Sequence, residues 1–171
     1  MSNLTLKTLL EAKELRAERQ QALCRKYQQT LVSITLNLPG SNKNPPGSTE
    51  LLNWATQQLL LRFSHCYLET LALISGPECL LVLAAPATEV KSFAQKLETT
   101  SEFSRLLDID VFDATYQRLS TRPQGRNCFL CARPASLCIR EQTHSLCELE
   151  TYAHNLLKQF QQVSATKLSY Q

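Results

Sequence analysis

Apolar side chains return along this chain with two spacings, near four residues in some stretches and two in others. From Leu4 to Tyr27, Leu6, Leu9, Leu10, Leu15, Ala22 and Leu23 fall near one stripe among Lys, Glu, Arg and Gln, which predicts an amphipathic helix. Thr30 to Leu38 alternates and is rich in β-branched residues, so it reads as a strand. The Pro39 to Gly47 stretch that follows, crowded with Pro, Gly, Asn and Ser, must be a loop. Ser48-Thr49-Glu50 offers an N-cap for a helix over Leu51 to Phe63, with Leu51, Leu52, Trp54, Ala55, Leu59 and Phe63 inward.

Two apolar runs, Cys66 to Ile74 and Glu78 to Ala84, flank Ser75-Gly76-Pro77 and predict a β-hairpin. A helix from Pro86 or Thr88 to about Leu97 buries Val90, Phe93, Ala94 and Leu97. Leu106 to Phe112 is a last strand, Thr121 to Pro134 reads as loop, and Glu148 to Val163 as a closing helix. The central order β-α-β-β-α-β is that of a ferredoxin-like split βαβ, an α+β fold with an antiparallel sheet and both helices on one face. The whole of 1–171 is expected to form one domain: a helix over 1–28, an α+β core over 29–118 and a Cys/His-containing extension over 119–171.

Composition adds limits. With 43% hydrophobic and 19% charged residues among 171, the chain is an ordinary globular protein rather than a disordered one. A net charge of +3 does not by itself call for nucleic acid. Met1 to Arg16 has no apolar signal core, and the longest apolar stretch, Leu71 to Pro86, is broken by Ser75, Gly76, Pro77 and Glu78. The expected compartment is the cytoplasm, without a membrane span. There the seven cysteines are thiols or metal ligands rather than disulfides.

The candidate chemistry begins at Asp108 and Asp110. Residues two apart on a strand share a face, so these carboxylates stand side by side and oppose each other's ionisation. Mg²⁺ removes that conflict and is commonly held by one or two carboxylates with substrate phosphates. By geometry alone a solvated acidic sheet face is an equal reading. Two features favour polyphosphate: a Pro-Gly-Ser-Asn-Lys loop with free N–H groups, and Arg105, Arg118, Arg122 and Arg126 around the pair.

Further on, Cys128 and Cys131 form a C-x2-C, followed by Cys138 and, five residues later, His144. Four nitrogen and sulfur ligands suit a structural zinc. The spacing is not that of a standard finger, and buried thiols with a hydrogen-bonded histidine are the competing reading. Cys24, Cys66, Cys79 and Cys147 read as core or near-surface thiols, and His65 and His154 as structural.

Together these motifs carry a resemblance: E-L-R-A-E-R-Q (Glu14 to Gln20), L-N-L-P-G-S-N-K (Leu36 to Lys43), R-L-L-D-I-D-V (Arg105 to Val111), R-x-C-x-x-C (Arg126 to Cys131) and C-I-R-E-Q-T-H-S (Cys138 to Ser145). In this order, from Glu14 to about Glu150, the chain resembles the holo-citrate lyase synthase family, the apo-citrate lyase phosphoribosyl-dephospho-CoA transferases. Ser104 stands where the family has Gly, and Lys13-Glu14 where it has Arg-Glu.

The resemblance implies a Mg²⁺-dependent, nucleotidyltransferase-type enzyme. Its substrate is 2′-(5″-triphosphoribosyl)-3′-dephospho-CoA, its partner the acyl carrier (gamma) subunit of citrate lyase, and it modifies a serine with release of pyrophosphate. It further implies Asp108 and Asp110 as Mg²⁺ ligands and catalytic groups with Arg105. Substrate contacts fall to Asn37, Gly40, Lys43, Arg122, Arg126 and Arg140, with Lys43, Arg105 and Arg122 on the pyrophosphate. The acidic carrier is expected to meet Lys7, Lys13, Arg16, Arg19, Arg25 and Lys26.

A more distant likeness, to the hydroxymethyl-dihydropterin pyrophosphokinases, also places R-x-x-D-x-D late in a ferredoxin-like sheet. Two other classes stand beside the transferase. One is a non-catalytic zinc module binding protein or RNA, although Phe129 is the sole aromatic between Arg118 and Arg140. The other is a pyrophosphokinase-like enzyme.

Overall fold

In the computed structural model, residues 6–120 and 125–168 are described. The elements run α1 (Leu6–Tyr27), β1 (Thr30–Leu36), α2 (Ser48–Arg62), β2 (His65–Leu73), β3 (Gly76–Leu83), α3 (Ala87–Leu97), a single 3-10 turn (Phe103–Leu106), β4 (Leu107–Phe112), α4 (Ala135–Glu141) and α5 (Leu146–Leu168). The four strands form one sheet in the order β2-β3-β1-β4, every neighbour antiparallel. The architecture is therefore α+β. Among the described residues no helix is long and apolar enough to cross a membrane.

Strand alternation sorts the core to two faces. Val32 and Ile34 of β1, Leu81 and Leu83 of β3, and Leu107, Ile109 and Val111 of β4 pack under α2, α3 and α5. Leu31, Leu80, Val82 and Phe112 face the other way and meet Leu23 and Cys24 of α1. All of β3 is buried, as befits a strand covered on both faces. Helix α5 supplies Ala153, Leu156, Leu157 and Phe160, one stripe at helical spacing. Trp54 of α2, Phe103 of the 3-10 turn and Phe160 of α5 form a ring cluster with centroids 5.2–6.1 Å apart, tying the last helix to the core.

Some local expectations change. Leu10 and Leu15, assigned to the apolar stripe of α1, are exposed, as is Ala22; the helix docks through its last turns, at Gln20, Leu23 and Cys24. Helix α2 begins at Ser48 behind Gly47, whose φ of +92° makes the turn, so no Ser48 side-chain cap forms. The Ser48 hydroxyl instead donates to the Pro45 carbonyl at 2.6 Å. Helix α5 starts earlier than its apolar pattern, because Ser145 and Glu148 form a reciprocal cap: Ser145 N–H donates to Glu148 Oε2 at 2.8 Å and Glu148 N–H to Ser145 Oγ at 3.2 Å. The short α4 falls just beyond a stretch read as loop and carries no apolar period.

This core makes a simple contrast. Leu81→Ala, at a fully buried position of β3, should lower stability by about 2–5 kcal/mol in urea denaturation with the m-value unchanged. Leu61→Ala, on a side of α2 that is 80% exposed, should stay within about 0.5 kcal/mol of the parent.

Candidate active site

Strand β4 lies at the edge of the sheet, paired to β1 on one side only. Since Leu107, Ile109 and Val111 enter the core, Asp108 and Asp110 take the opposite face, across from Thr35 and Ser33. The outer edge of the strand would leave backbone groups unpaired; Leu119 N–H donates to the Val111 carbonyl at 2.9 Å, and side chains satisfy Ile109. Ile109 N–H donates to Glu98 Oε1 at 2.9 Å, and Lys91 Nζ donates to the Ile109 carbonyl at 3.1 Å. Both residues come from α3 or its end, so the helix caps the edge as well as covering the face.

The chain then turns back on itself. Asp113 Oδ1 accepts from Thr115 N–H, the Thr115 hydroxyl and Gln117 N–H, an Asx turn that brings Arg118 alongside Phe112. From there Arg118 reaches Asp110 Oδ1 at 3.3 Å. Arg126 is placed more firmly. Its Nη2 lies 2.8 Å from Asp108 Oδ1 and 2.7 Å from Glu98 Oε1, while Nη1 donates to the Leu107 carbonyl at 2.6 Å. Glu98 is only 4% exposed, so its pairing with Arg126 leaves no uncompensated charge inside.

Burial pushes the Asp110 carboxyl above its ordinary value, and the charge on Asp108 pushes the same way, outweighing the pull of Arg118, Lys91 and Arg126. Residues Asp108, Asp110, Lys91, Arg118 and Arg126 line a small cavity of about 170 Å³. Beside it lies one of about 1030 Å³, bordered by Asn37, Arg105, Phe129, His144 and Leu149 among others. Glu98, Gly125 and Arg126 line both, so the Glu98–Arg126 pair forms the wall between them.

The remaining residues named from the sequence are distributed as follows. Arg105 turns from the aspartates to the C-terminal segment, donating to the Cys128 carbonyl at 2.8 Å and the Phe129 carbonyl at 3.4 Å, with its guanidinium over the Phe129 ring. Asn37 borders the large cavity, and its backbone N–H is taken by Leu106. Gly40 holds φ +82° with the Glu150 carboxylate packed where a Cβ would stand. Lys43 folds back onto the Leu38 carbonyl and lines neither cavity; burial lowers its pKa while Glu150 opposes that. Arg140 is exposed beside Glu141 and also lines neither. Arg122 lies outside the described residues.

Cys128, Cys131, Cys138 and His144 do come together, their ligand atoms within 4.8 Å of one another. In the N-terminal helix, Arg16 binds Glu78 at 2.8 Å and Arg19 binds Glu69, so both are engaged within the molecule. Sequence reasoning missed Glu98 and Lys91. Neither carries a motif, because their role comes from standing over an unpaired strand edge.

The profile of the family described as apo-citrate lyase phosphoribosyl-dephospho-CoA transferase matches residues 4–160. The chain belongs to this family. A probable apo-citrate lyase phosphoribosyl-dephospho-CoA transferase of Streptococcus pyogenes serotype M18 is 32% identical to it over 165 residues, covering 91% of this chain and 86% of the relative. The apo-citrate lyase phosphoribosyl-dephospho-CoA transferase of Escherichia coli O1:K1 is 34% identical over 149 residues, 82% of this chain and 81% of its own length. For this phosphoribosyl-dephospho-CoA transferase family member, the matched span takes in the aspartate strand, its arginines and the Cys-His segment alike.

The raised carboxyl has a measurable signature. A carboxyl whose folded pKa exceeds its unfolded one penalises the native state above that folded value and not below the unfolded one. Asp110→Asn should therefore raise the metal-free melting temperature at neutral pH. The gain should shrink as pH falls through the raised range towards the ordinary value of 3.8. A variant no more stable than the parent at pH 7 would show that burial and Asp108 do not strain this carboxylate.

Proposed function

We propose that this chain transfers a phosphoribosyl-dephospho-CoA group from its triphosphate-activated form to a serine of the apo acyl carrier subunit of citrate lyase, releasing pyrophosphate. The relatives' names give apo-citrate lyase as the acceptor and phosphoribosyl-dephospho-CoA as the group, which supports the coarser part of the reading. The observation that carries the reading is the same-face pair Asp108 and Asp110, held by Arg118 and Arg126 beside a nucleotide-sized cavity. A volume of about 1030 Å³ suits a ligand as large as dephospho-CoA. In this reading the ligand's phosphates lie at the shared Arg126 wall, near the carboxylates. The sheet order β2-β3-β1-β4 with two β-α-β crossings supports a ferredoxin-like core.

The donor set fits Mg²⁺: two adjacent carboxylates, one raised by burial and its neighbour's charge. When bound there, the ion neutralises phosphate charge. The chain's own residues do the rest. Arg118, loosely paired with Asp110, presents guanidinium N–H groups to phosphate oxygens, while Arg126, its Nη donors taken by Glu98, Asp108 and the Leu107 carbonyl, holds Asp108 in place. Arg105 fixes the loop that walls the large cavity, which orients the nucleotide end. The serine Oγ of the carrier forms a bond to the phosphorus nearest the ribose, the bond from that phosphorus to the pyrophosphate oxygen breaks, and the hydroxyl proton passes to one of the two aspartates. Orientation and charge stabilisation account for the acceleration.

The test is an intact-mass measurement on the carrier after incubation with this chain, Mg²⁺ and the triphosphoribosyl-dephospho-CoA. The carrier should gain the mass of the transferred group and pyrophosphate should appear; an unchanged carrier mass sinks the reading. Asp108→Asn and Asp110→Asn should each cut turnover by at least about 10²-fold with the circular dichroism spectrum intact. Added Mg²⁺ should raise the melting temperature of the parent and not of either variant. ATP consumption without a carrier adduct would instead favour a pyrophosphokinase-like enzyme.

A further inference from the structure

The segment from Gly125 to Tyr152 is built almost without a core. Of these residues, all of them described, only Cys128 and Cys138 are buried. Elsewhere in the fold, buried leucines, isoleucines and phenylalanines do the holding. A stretch whose fully buried side chains are two thiols, with Phe129 and Tyr152 only partly covered against the core, gains little from apolar burial to offset its ordering entropy. Yet it carries a helix, a tight turn and the wall of the large cavity, which Cys128, Cys138 and His144 line.

We infer that Cys128, Cys131, Cys138 and His144 bind one structural zinc ion that holds this segment together. Cys131 Sγ lies 3.5 Å from Cys138 Sγ and 3.3 Å from His144 Nε2. In a tetrahedron with zinc–sulfur bonds of about 2.3 Å, sulfur atoms stand ~3.8 Å apart, so the Cys131–Cys138 separation of 3.5 Å is near that of two ligands of one ion, and all four ligand atoms lie within 4.8 Å of one another. The sulfur separation of 3.5 Å is far beyond a covalent S–S bond. All four residues point to one centre, which a disulfide between two of them would not require.

The backbone turns tightly at Cys128, whose N–H closes a turn on the Arg133 carbonyl at 2.8 Å. At the far end, Gln142 adopts φ +49° after α4, and Thr143 N–H returns to the Cys138 carbonyl at 3.0 Å, which swings His144 back towards the sulfurs. Three thiolates and an imidazole are a soft set that selects zinc over magnesium or calcium. Four protein ligands leave no open position, so the ion is structural. It stands on the opposite side of the Glu98–Arg126 wall from the aspartates, as a second metal centre that shapes the large cavity and takes no part in the bond exchange.

The full chain, purified under reducing conditions without chelator or histidine tag, should carry one equivalent of zinc by elemental analysis and native mass. After zinc removal, titration with Co²⁺ alone should give the visible absorption of tetrahedral thiolate-bound cobalt, saturating at one equivalent. Cys131→Ser and His144→Ala should lose that absorption, and Cys66→Ser, at an exposed thiol of β2, should keep it. Chelation should open the segment to trypsin at the exposed Arg140 while the sheet stays protected. Zinc-free protein that gives no cobalt absorption overturns the inference. So does a Cys131–Cys138 disulfide found in protein alkylated at lysis.

Discussion

The outer edge of β4 is the constraint from which this site follows. A strand paired on one side only must find partners for its other backbone groups or leave them to water. Here a buried carboxylate and a lysine ammonium from α3 satisfy Ile109. Burying Glu98 at this edge in turn requires a cation, and Arg126 supplies it. Arg126 also takes the Leu107 carbonyl and Asp108. One satisfied strand edge thus fixes a guanidinium beside the Asp108 carboxylate and sets the boundary between two cavities.

The charge pattern is close to balanced without substrate. Glu98, Asp108 and Asp110 face Lys91, Arg118 and Arg126. The balance is uneven in quality, however. Arg126 makes short bonds from a largely buried position, whereas Arg118 is 60% exposed and reaches Asp110 at 3.3 Å, a pair of the kind that contributes little to stability. Asp110 is accordingly the less satisfied carboxylate, raised rather than lowered. Stability sacrificed at one position of an otherwise well-packed strand is a pattern expected where a ligand completes the site.

Much of this is legible in the order of residues, for a physical reason: periodicity and strand alternation are local. The period-two alternation of β4 is enough to put Asp108 and Asp110 on one face, and the strands and main helices fall within a few residues of their predicted bounds. What is not legible depends on distant partners. A cation's role is decided by what the fold brings to it. Lys43 in a phosphate-friendly loop folds onto its own Leu38 carbonyl, and Arg105, adjacent to the aspartate strand, spends its donors on the Cys128 and Phe129 carbonyls. Glu98 reads along the chain as an ordinary helix-end residue. The stripe on α1 misleads because a long helix can be amphipathic over its length and yet dock only at one end, leaving Leu10 and Leu15 in solvent.

The C-terminal segment extends the same logic. Its attachment is largely polar, through Arg126 to the β4 edge and Arg105 to the carbonyls of the Cys128 turn, with Phe129 its apolar contact to the core. Polar ties specify geometry but resist local opening less than a packed core does. A cavity walled by such a segment can be reshaped without disturbing the sheet, because α5 is anchored independently through Leu156, Leu157 and Phe160. The sheet and its helices therefore serve as the rigid frame for the aspartates. The segment from 125 to 146 is the part whose own internal fastening decides whether a large ligand finds a formed pocket.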